Sequence, residues 1–398
     1  MSEKDAVRAA ELLSSRCVDV VTQEDLVKRL ASGRPLRVKL GIDPSGPLLH
    51  LGHAVVLRKL RQFQDLGHQA ILIVGDFTAQ IGDPTGRAES RQPRSREDIE
   101  RDMKTYTEQA GLILDMGRTE IRYNSEWLGK LTFADLLGLY AKVTVARMLE
   151  RDDFAKRYKA GEAIGLHEFM YPFGVAYDSV MIKADVELGG SEQLFNLLMG
   201  RKLQEEFGQP PQICMTLPIL EGTDGVQRMG KSLHNFIALR EAPEQMFGKI
   251  MSLPDELLER YWPLATTADD AAIADSLRLP PRDSKLALAA EIVRLYHGAA
   301  AASTAREHFE KTVVRKELPD EMREYPITMD AEPATILRLL VMTGLAGSNR
   351  EGQRLIEQGA VKLDGERVDD PLRIERSWHG KVLQKGNRNF VRIVVPRS

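Results

Sequence analysis

The sequence predicts a multidomain α/β protein, with a doubly wound, mostly parallel sheet followed by a helical module and a small basic α+β tail. Three observations lead there. Two apolar runs, RVKLGID at 37–43 and QAILIVGD at 69–76, flank a stretch in which Leu51, Ala54, Val55, Leu57, Leu60, Phe63 and Leu66 recur at helical spacing, the pattern of a βαβ unit. After Pro243 the pattern turns helical and alanine-rich, through DDAAIADSLRL and SKLALAAEIVRLYHGAAAAS. Residues 333–398 carry 12 Lys+Arg against 7 Asp+Glu, which leaves 43 against 51 for the rest of the chain. A basic appendage on an acidic body suits a polyanionic partner, although a solvated surface can show the same sign.

The other elements follow in order. After the polar loop IGDPTGRAESRQPRS the spacing predicts a helix from 96 to about 115, a strand near Ile121, a helical stretch over 133–150 and a strand at 213–220 (ICMTLPIL). Alternation of this kind builds a parallel sheet, whose ligands sit outside the carboxyl ends of the strands at the switch point. The loops DPSGPLLHLGH and DFTAQIGDPTG thus become candidate walls of a site. The expected domains are 1–242, with an insertion at about 125–165; a helical domain, 243–325; a linker, 326–332, in a proline- and charge-bearing stretch that could also pack as an extended segment; and the tail, 333–398.

Bulk composition excludes several classes. The chain has 398 residues, enough for two or three domains, with 43% hydrophobic and 28% charged residues and a net charge of -3. No apolar run approaches a membrane span, and MSEKDAVRAAELL lacks the apolar core of a secretory signal. Cys17 and Cys214 support neither a disulfide framework nor a cysteine zinc site. A cytoplasmic protein without a membrane partner is expected.

Two motifs carry chemistry. GVQRMGKS at 225–232 spells the P-loop pattern letter for letter, but a P-loop must leave a strand directly and enter a helix. Here the turn-rich EGTDG separates it from the preceding strand, and Arg240, Glu241, Ala242 and Pro243 soon follow. A basic, solvated loop remains a second reading. His50 and His53 in HLGH stand three apart at a helix start, beside N–H groups that attract anions, and each can donate to phosphate oxygens. Gly52 leaves room for a flat ring. A metal pair or two incidental surface histidines are the alternatives, and further metal ligands are missing nearby.

HLGH, GDPTG and RMGKS together resemble the class I aminoacyl-tRNA synthetases, with their HIGH and KMSKS motifs. The runs VKLGIDPSGPLLHLGH, GDFTAQIGDPTGR, NSEWLGKL, KVTVARMLERDDF, YDSVMIKADVELGG and MFGKIMS narrow the resemblance to the bacterial tyrosyl-tRNA synthetase family, over nearly the whole chain. GVQRMGKS is then similar to the mobile KMSKS loop, its P-loop spelling arising from Gly230. The tail, TILRLLVMTGLAGSNREGQRLIEQGAVKLDGERV, resembles a small RNA-binding domain first known from a ribosomal protein, with Arg350, Arg354 and Lys362 toward RNA. A plain hairpin-bearing domain is its alternative.

The resemblance implies a Rossmann-like catalytic domain that joins the tyrosine carboxylate to the α-phosphate of ATP, releases pyrophosphate and passes tyrosine to the 3′ end of tRNA(Tyr). It implies His50 and Ser45 on the γ-phosphate, His53 on the ribose, Gly52 under the adenine, and Glu192 on a ribose hydroxyl. Arg228 and Lys231 would close over the pyrophosphate with Met229 and Ser232 in the same ATP-binding loop, and Arg87 and Arg91 would flank it. Asp83 and Tyr171 would bind the substrate ammonium, Gln193 would orient the amino acid, and Asp178 would accept the phenol proton. Magnesium would arrive with ATP rather than on a protein-bound site, and KVTVARMLERDDF implies a homodimer.

The chain departs from the family at Lys39, where the better-known branch has a second phenol contact, at Val175, and at Arg228 and Gly230. Phenol recognition then leans on Asp178. The rival functions are a P-loop NTPase, a non-catalytic RNA-binding relative, and a divergent paralogue with altered amino-acid specificity.

Overall fold

The computed structural model describes residues 2–43, 46–82, 96–314, 322–327, 335–375, 377–386 and 389–395. The chain divides into two compact units, Met1–Gly298 and Ala299–Ser398.

The first unit holds a six-stranded sheet of β1 (Asp19–Val21), β2 (Arg37–Ile42), β3 (Gln69–Val74), β4 (Thr119–Tyr123), β5 (Val186–Gly190) and β6 (Ile213–Leu217). Its strand order is β1-β6-β5-β2-β3-β4. The pairs β2–β3, β3–β4, β2–β5 and β5–β6 are parallel, as predicted, and β1 joins β6 antiparallel. Val38 and Leu40 of β2 and 70–74 of β3 are buried on both faces of the sheet, which explains why β3 reads as an unbroken apolar run and β2 as one broken by Lys39. The chain builds outward from β2 through β3 to β4, then crosses back to place β5 on the other side of β2. That reversal makes β2 and β5 the switch point, where their carboxyl ends open a crevice.

The helix Leu51–Asp65 follows β2, with His50 as its N-cap, and buries Leu51, Ala54, Val55, Leu57, Leu60 and Phe63. Helical structure after Pro243 belongs, as far as Gly298, to the first compact unit. It braces the helix Leu51–Asp65 and the segment after β6: Arg58 donates to Leu264 O at 3.0 Å, and Tyr261 OH donates to Glu221 O at 2.6 Å. Among the described residues, no helix is long and apolar enough to cross a membrane.

The second unit contains the helices Ile336–Met342 and Asn349–Glu357 and a sheet of β7 (Arg323–Pro326), β8 (Val361–Leu363), β9 (Glu366–Arg367), β10 (Val382–Lys385) and β11 (Asn389–Val394). Its order is β7-β11-β10-β8-β9. Ile336, Leu339, Leu340, Ile356, Val361, Leu363, Trp378, Leu383, Val391 and Ile393 form its core. Residues 323–326, expected at the end of the helical domain and the start of the linker, instead form the edge strand β7, parallel to β11. Four residues with two charges give too short a signal to read as a strand, and only the partner strand supplies their pairing.

Candidate active site

The crevice at the switch point is a cavity of about 1270 Å³, lined by the ends of β2, β3 and β5, by HLGH and by 227–233. Asp43 follows β2 directly. Its Oδ2 accepts from Tyr171 OH at 2.7 Å and its Oδ1 from Thr78 Oγ1 at 2.9 Å. A Cβ on Gly75, just past β3, would stand 1.8 Å from Asp43 Oδ1, so only glycine lets this carboxylate cross the strand ends. Asp43 was not singled out from the sequence, although it opens the strand-end loop DPSG.

The two histidines come together, with ring centroids 3.9 Å apart. His53 Nδ1 accepts the backbone N–H of His50 at 3.3 Å, which leaves the imidazole proton on Nε2 as a donor. Burial, reinforced by Lys231, pushes the His53 imidazole down to about 3. His50 is buried, with Nδ1 lacking a hydrogen-bond partner, and it too is held far below the ordinary histidine range, first by burial and then by His53 and Lys231. Both are neutral donors at neutral pH. Gly52 lies against the His50 ring, 3.1 Å from where its Cβ would be, so the space beside it is shared with that imidazole.

The GVQRMGKS loop faces these histidines. Leu51 N donates to Ile237 O at 3.0 Å and Leu239 N to Leu49 O at 3.0 Å, so the segment after the loop runs as a bridge partner of the helix start. Before the loop, Glu221 and Arg228 form a second antiparallel bridge. Asn235 ties the turn together: Nδ2 donates to Asp224 Oδ2 at 2.8 Å and Arg228 O at 3.1 Å, and Oδ1 accepts from Gly230 N at 2.9 Å. Residues 231–234 form a turn and the next helix begins only at Pro243, so the strand–loop–helix geometry of a P-loop is absent here. Lys231 Nζ donates to Tyr106 OH at 2.6 Å and Gly46 O at 3.1 Å, and lies 5.0 Å from the Tyr106 ring centroid. Arg228 donates to both oxygens of Glu192 at 2.9 Å. Met229 is buried in the cavity wall, and Ser232 is exposed at its rim. Tyr106 carried no sequence signal, because only the fold brings it to the loop.

At the far end Asp178 is buried, accepting from Trp127 Nε1 at 2.8 Å and Asn124 Nδ2 at 3.3 Å. Burial pushes its carboxyl up to about 7, against the pull of Lys39 and these two donors. Val175 and Gln193 line the cavity too, with Gln193 Oε1 accepting from Gly190 N at 2.9 Å. Ser45, Asp83, Arg87 and Arg91 lie outside the described residues. In the second unit Arg350 and Arg354 are exposed on one face of the helix Asn349–Glu357, whose Ile356 is buried and Leu355 packed on the core, while Lys362 is half-buried on β8.

A parallel sheet whose switch-point crevice gathers neutral imidazole donors, a cationic loop and a buried carboxylate defines an α/β enzyme that activates a small molecule with a nucleotide. Residues 31–314 match the family of tRNA synthetases class I (W and Y), and residues 336–372 match the S4 domain. The tyrosine--tRNA ligase of Thermotoga maritima is 52% identical over 389 residues, 96% of this chain and 96% of that protein. That of Moorella thermoacetica is 51% identical over 401 residues, 98% of this chain and 97% of that protein. Among solved structures, the tyrosyl-tRNA synthetase from Archaeoglobus fulgidus complexed with L-tyrosine superposes with a TM-score of 0.61 at 23% identity, over 76% of this chain and 100% of that one. A C-terminally truncated mitochondrial tyrosyl-tRNA synthetase of Coccidioides posadasii gives 0.61 at 22% identity, over 76% of this chain and 91% of that one. At those identities the likeness is one of fold. The chain belongs to the class I (W and Y) tRNA synthetase family.

The neutral His50 has a measurable consequence. Its imidazole resists protonation in the folded chain, so below about pH 6.5 the unfolded chain binds a proton that the folded chain does not. The stability is therefore full above that pH and lost as pH falls. Measured by urea unfolding, wild type should lose up to about 1.4 kcal/mol per pH unit relative to His50→Gln between pH 6 and 5. Parallel curves would show that His50 is not held neutral.

Proposed function

We infer that this chain is a tyrosine--tRNA ligase, which activates L-tyrosine with ATP and transfers it to tRNA(Tyr). The observation that carries the reading is the meeting, in one crevice, of HLGH and the Arg228–Lys231 loop at one end with the buried Asp178 at the other, in a chain about half identical to ligases of that name. ATP enters with its magnesium as a substrate complex. The tyrosine carboxylate oxygen attacks the α-phosphorus, the bond to the bridging oxygen of the β-phosphate breaks, and pyrophosphate leaves. The terminal ribose hydroxyl of the tRNA then attacks the activated carbonyl, and AMP leaves.

Each residue's part follows from its chemistry. His53, with its proton on Nε2, and His50 donate to phosphate or ribose oxygens without bringing charge. Arg228 and Lys231 supply the charge that the departing pyrophosphate needs, where preorganised donors lower the barrier most. The Arg228–Glu192 pair is about two-fifths exposed on each side, at 41% and 37%, so it is a weak contact that phosphates can displace, freeing Glu192 for a ribose hydroxyl. Asp178 accepts the phenol O–H. Tyr171, Gln193 and Asp83 take the substrate ammonium and backbone, while Ser45, Arg87, Arg91, Met229 and Ser232 complete the nucleotide side. A cytoplasmic setting belongs to the same reading.

Tyrosine-dependent ATP–pyrophosphate exchange tests it, and an enzyme inert with tyrosine but active with another amino acid would favour the divergent paralogue. Lys231→Ala should lower kcat by a factor on the order of 100 or more while tyrosine affinity moves less than about threefold, because the contact matters most in the transition state. An equal loss of tyrosine affinity would contradict that role.

The S4 domain is proposed to hold tRNA through Arg350, Arg354 and Lys362. In the full chain, Arg354→Glu should weaken tRNA charging and flatten its salt dependence, with pyrophosphate exchange unchanged. Charging unaffected at every salt concentration would remove Arg354 from the interface.

A homodimer is proposed through the insertion. Phe133, Leu137 and Val145 are 77%, 57% and 63% exposed in this one stretch of chain, an unusual concentration of bare apolar surface. Light scattering at micromolar concentration should give twice the chain mass, falling toward a single chain in Leu137→Glu. A wild-type monomer would sink the proposal.

A further inference from the structure

Behind the phenol end of the cavity stands a cation that neither HLGH nor the mobile loop requires. Lys39, on β2, is fully buried. Its Nζ donates to Val175 O at 2.7 Å and Ser179 Oγ at 2.9 Å, and pairs with Glu187 Oε1 at 2.7 Å. Val175 and Ser179 belong to the helix Met170–Met181, one turn apart and on either side of Asp178 in sequence. The lysine is therefore clasped to the turn that presents the phenol acceptor. Glu187, on β5, also accepts from Ser179 Oγ at 3.1 Å and from Gln212 Nε2. Asp178 and Glu187 line the cavity, and Lys39 lies behind them.

A buried ion pair is a poor device for stability, because desolvating two charges offsets most of their attraction, and an apolar pair of similar volume often does as well. Its field is another matter. Asp178 is 2% exposed, and its two hydrogen-bond donors, Trp127 and Asn124, are neutral. Of the charged groups facing it, Lys39 on β2 favours the anion and Glu187 on β5 opposes it. Asp43, beyond β2, is engaged by Tyr171 and Thr78, and Tyr177 adjoins Asp178 on its own helix. A carboxylate accepts a hydroxyl roughly twice as strongly as a neutral acid does.

We propose that Lys39 is a specificity-determining positioning residue: clasped to the helix turn of Asp178, its ammonium keeps that carboxyl ionised to accept the phenol O–H, and so sets the preference for tyrosine over phenylalanine without touching either. This rests on the reading that Asp178 receives the phenol. It also explains how the position can do without a second phenol contact: Lys39 strengthens the acceptor that remains.

The test is amino-acid-dependent ATP–pyrophosphate exchange by the full chain from pH 6 to 8.5, with tyrosine and phenylalanine, for wild type, K39M/E187M, E187Q and D178N. Removing both charges together leaves no orphaned ion in the double variant. It should raise the tyrosine KM at pH 7 by about tenfold, move the pH midpoint of that KM upward, and leave the phenylalanine KM within about twofold. E187Q, which leaves Lys39 unopposed, should move the midpoint the other way. A packing role would weaken both amino acids alike with no shift in midpoint, and that result overturns the proposal. Should the double variant fail to fold, E187Q decides alone: a midpoint that is unmoved or raised counts against Lys39. If D178N abolishes tyrosine preference while the Lys39 and Glu187 variants keep it, only this proposal falls. If D178N keeps the preference, the phenol reading falls with it.

Discussion

Two backbone hydrogen bonds, Leu51 N to Ile237 O and Leu239 N to Leu49 O, hold the helix start of His50 against the segment that follows the Arg228–Lys231 loop. The rest of the site depends on this stitch. HLGH and RMGKS are far apart in sequence, and neither is a site alone. Joined here, the loop leaves β6 and returns beside the histidines, so Lys231 bears on both imidazoles while Arg228 turns to Glu192. Tyr261, donating to Glu221 O, fixes the outgoing limb of the loop from the helical side. The helices up to Gly298 thereby contribute to the geometry of a site whose chemistry they do not perform.

Electrostatics divide the crevice into two ends. At the end formed by HLGH and the loop the histidines are neutral and the positive charge sits on the loop; at the Asp178 end a buried carboxylate is balanced near the point of losing its proton. Burial drives both departures, pushing bases down and acids up. At Asp178 it is opposed by named groups, Lys39, Trp127 and Asn124, while at the histidines the neighbouring Lys231 adds to it. One physical effect thus yields uncharged donors at one end and a tunable acceptor at the other.

Much of this was legible in the sequence. β2 and β3 announce themselves because a parallel strand covered on both faces is apolar along most of its length, and the switch-point rule then directs attention to the loops that follow them. HLGH and RMGKS were visible as letters, and the failed strand context of the P-loop spelling was a physical argument that the turn at 231–234 bears out. β1 was illegible because its three residues gain their pairing only from β6, and β7 because its four residues gain theirs only from β11. Asp43, Tyr106 and Asn124 act on groups distant in sequence, and periodicity cannot report a contact of that kind. Lys39 was visible as a departure; that it would be buried against Glu187 and the Asp178 helix was not.

The placement of charge also bears on how the site can work. Donors that bind the substrate and the transition state equally well tighten binding without speeding the reaction. His50 and His53 are fixed at the start of a packed helix, and being neutral they fit the steady contact with nucleotide oxygens that the proposed reading gives them. Arg228 and Lys231 stand on a turn held by its own backbone bonds and by the Asn235 side chain; Arg228 reaches Glu192 at the surface, while Lys231 reaches the hydroxyl of the buried Tyr106 and Gly46 O. The stitch at Leu49–Leu51 involves neither cation, so the exchange of partners that the proposed reading requires would leave its two bonds in place. Of the two cations, Arg228 holds the more exposed contact and exchanges it the more readily; in the proposed reading, that leaves its strongest contact for the moment when negative charge gathers on the departing pyrophosphate.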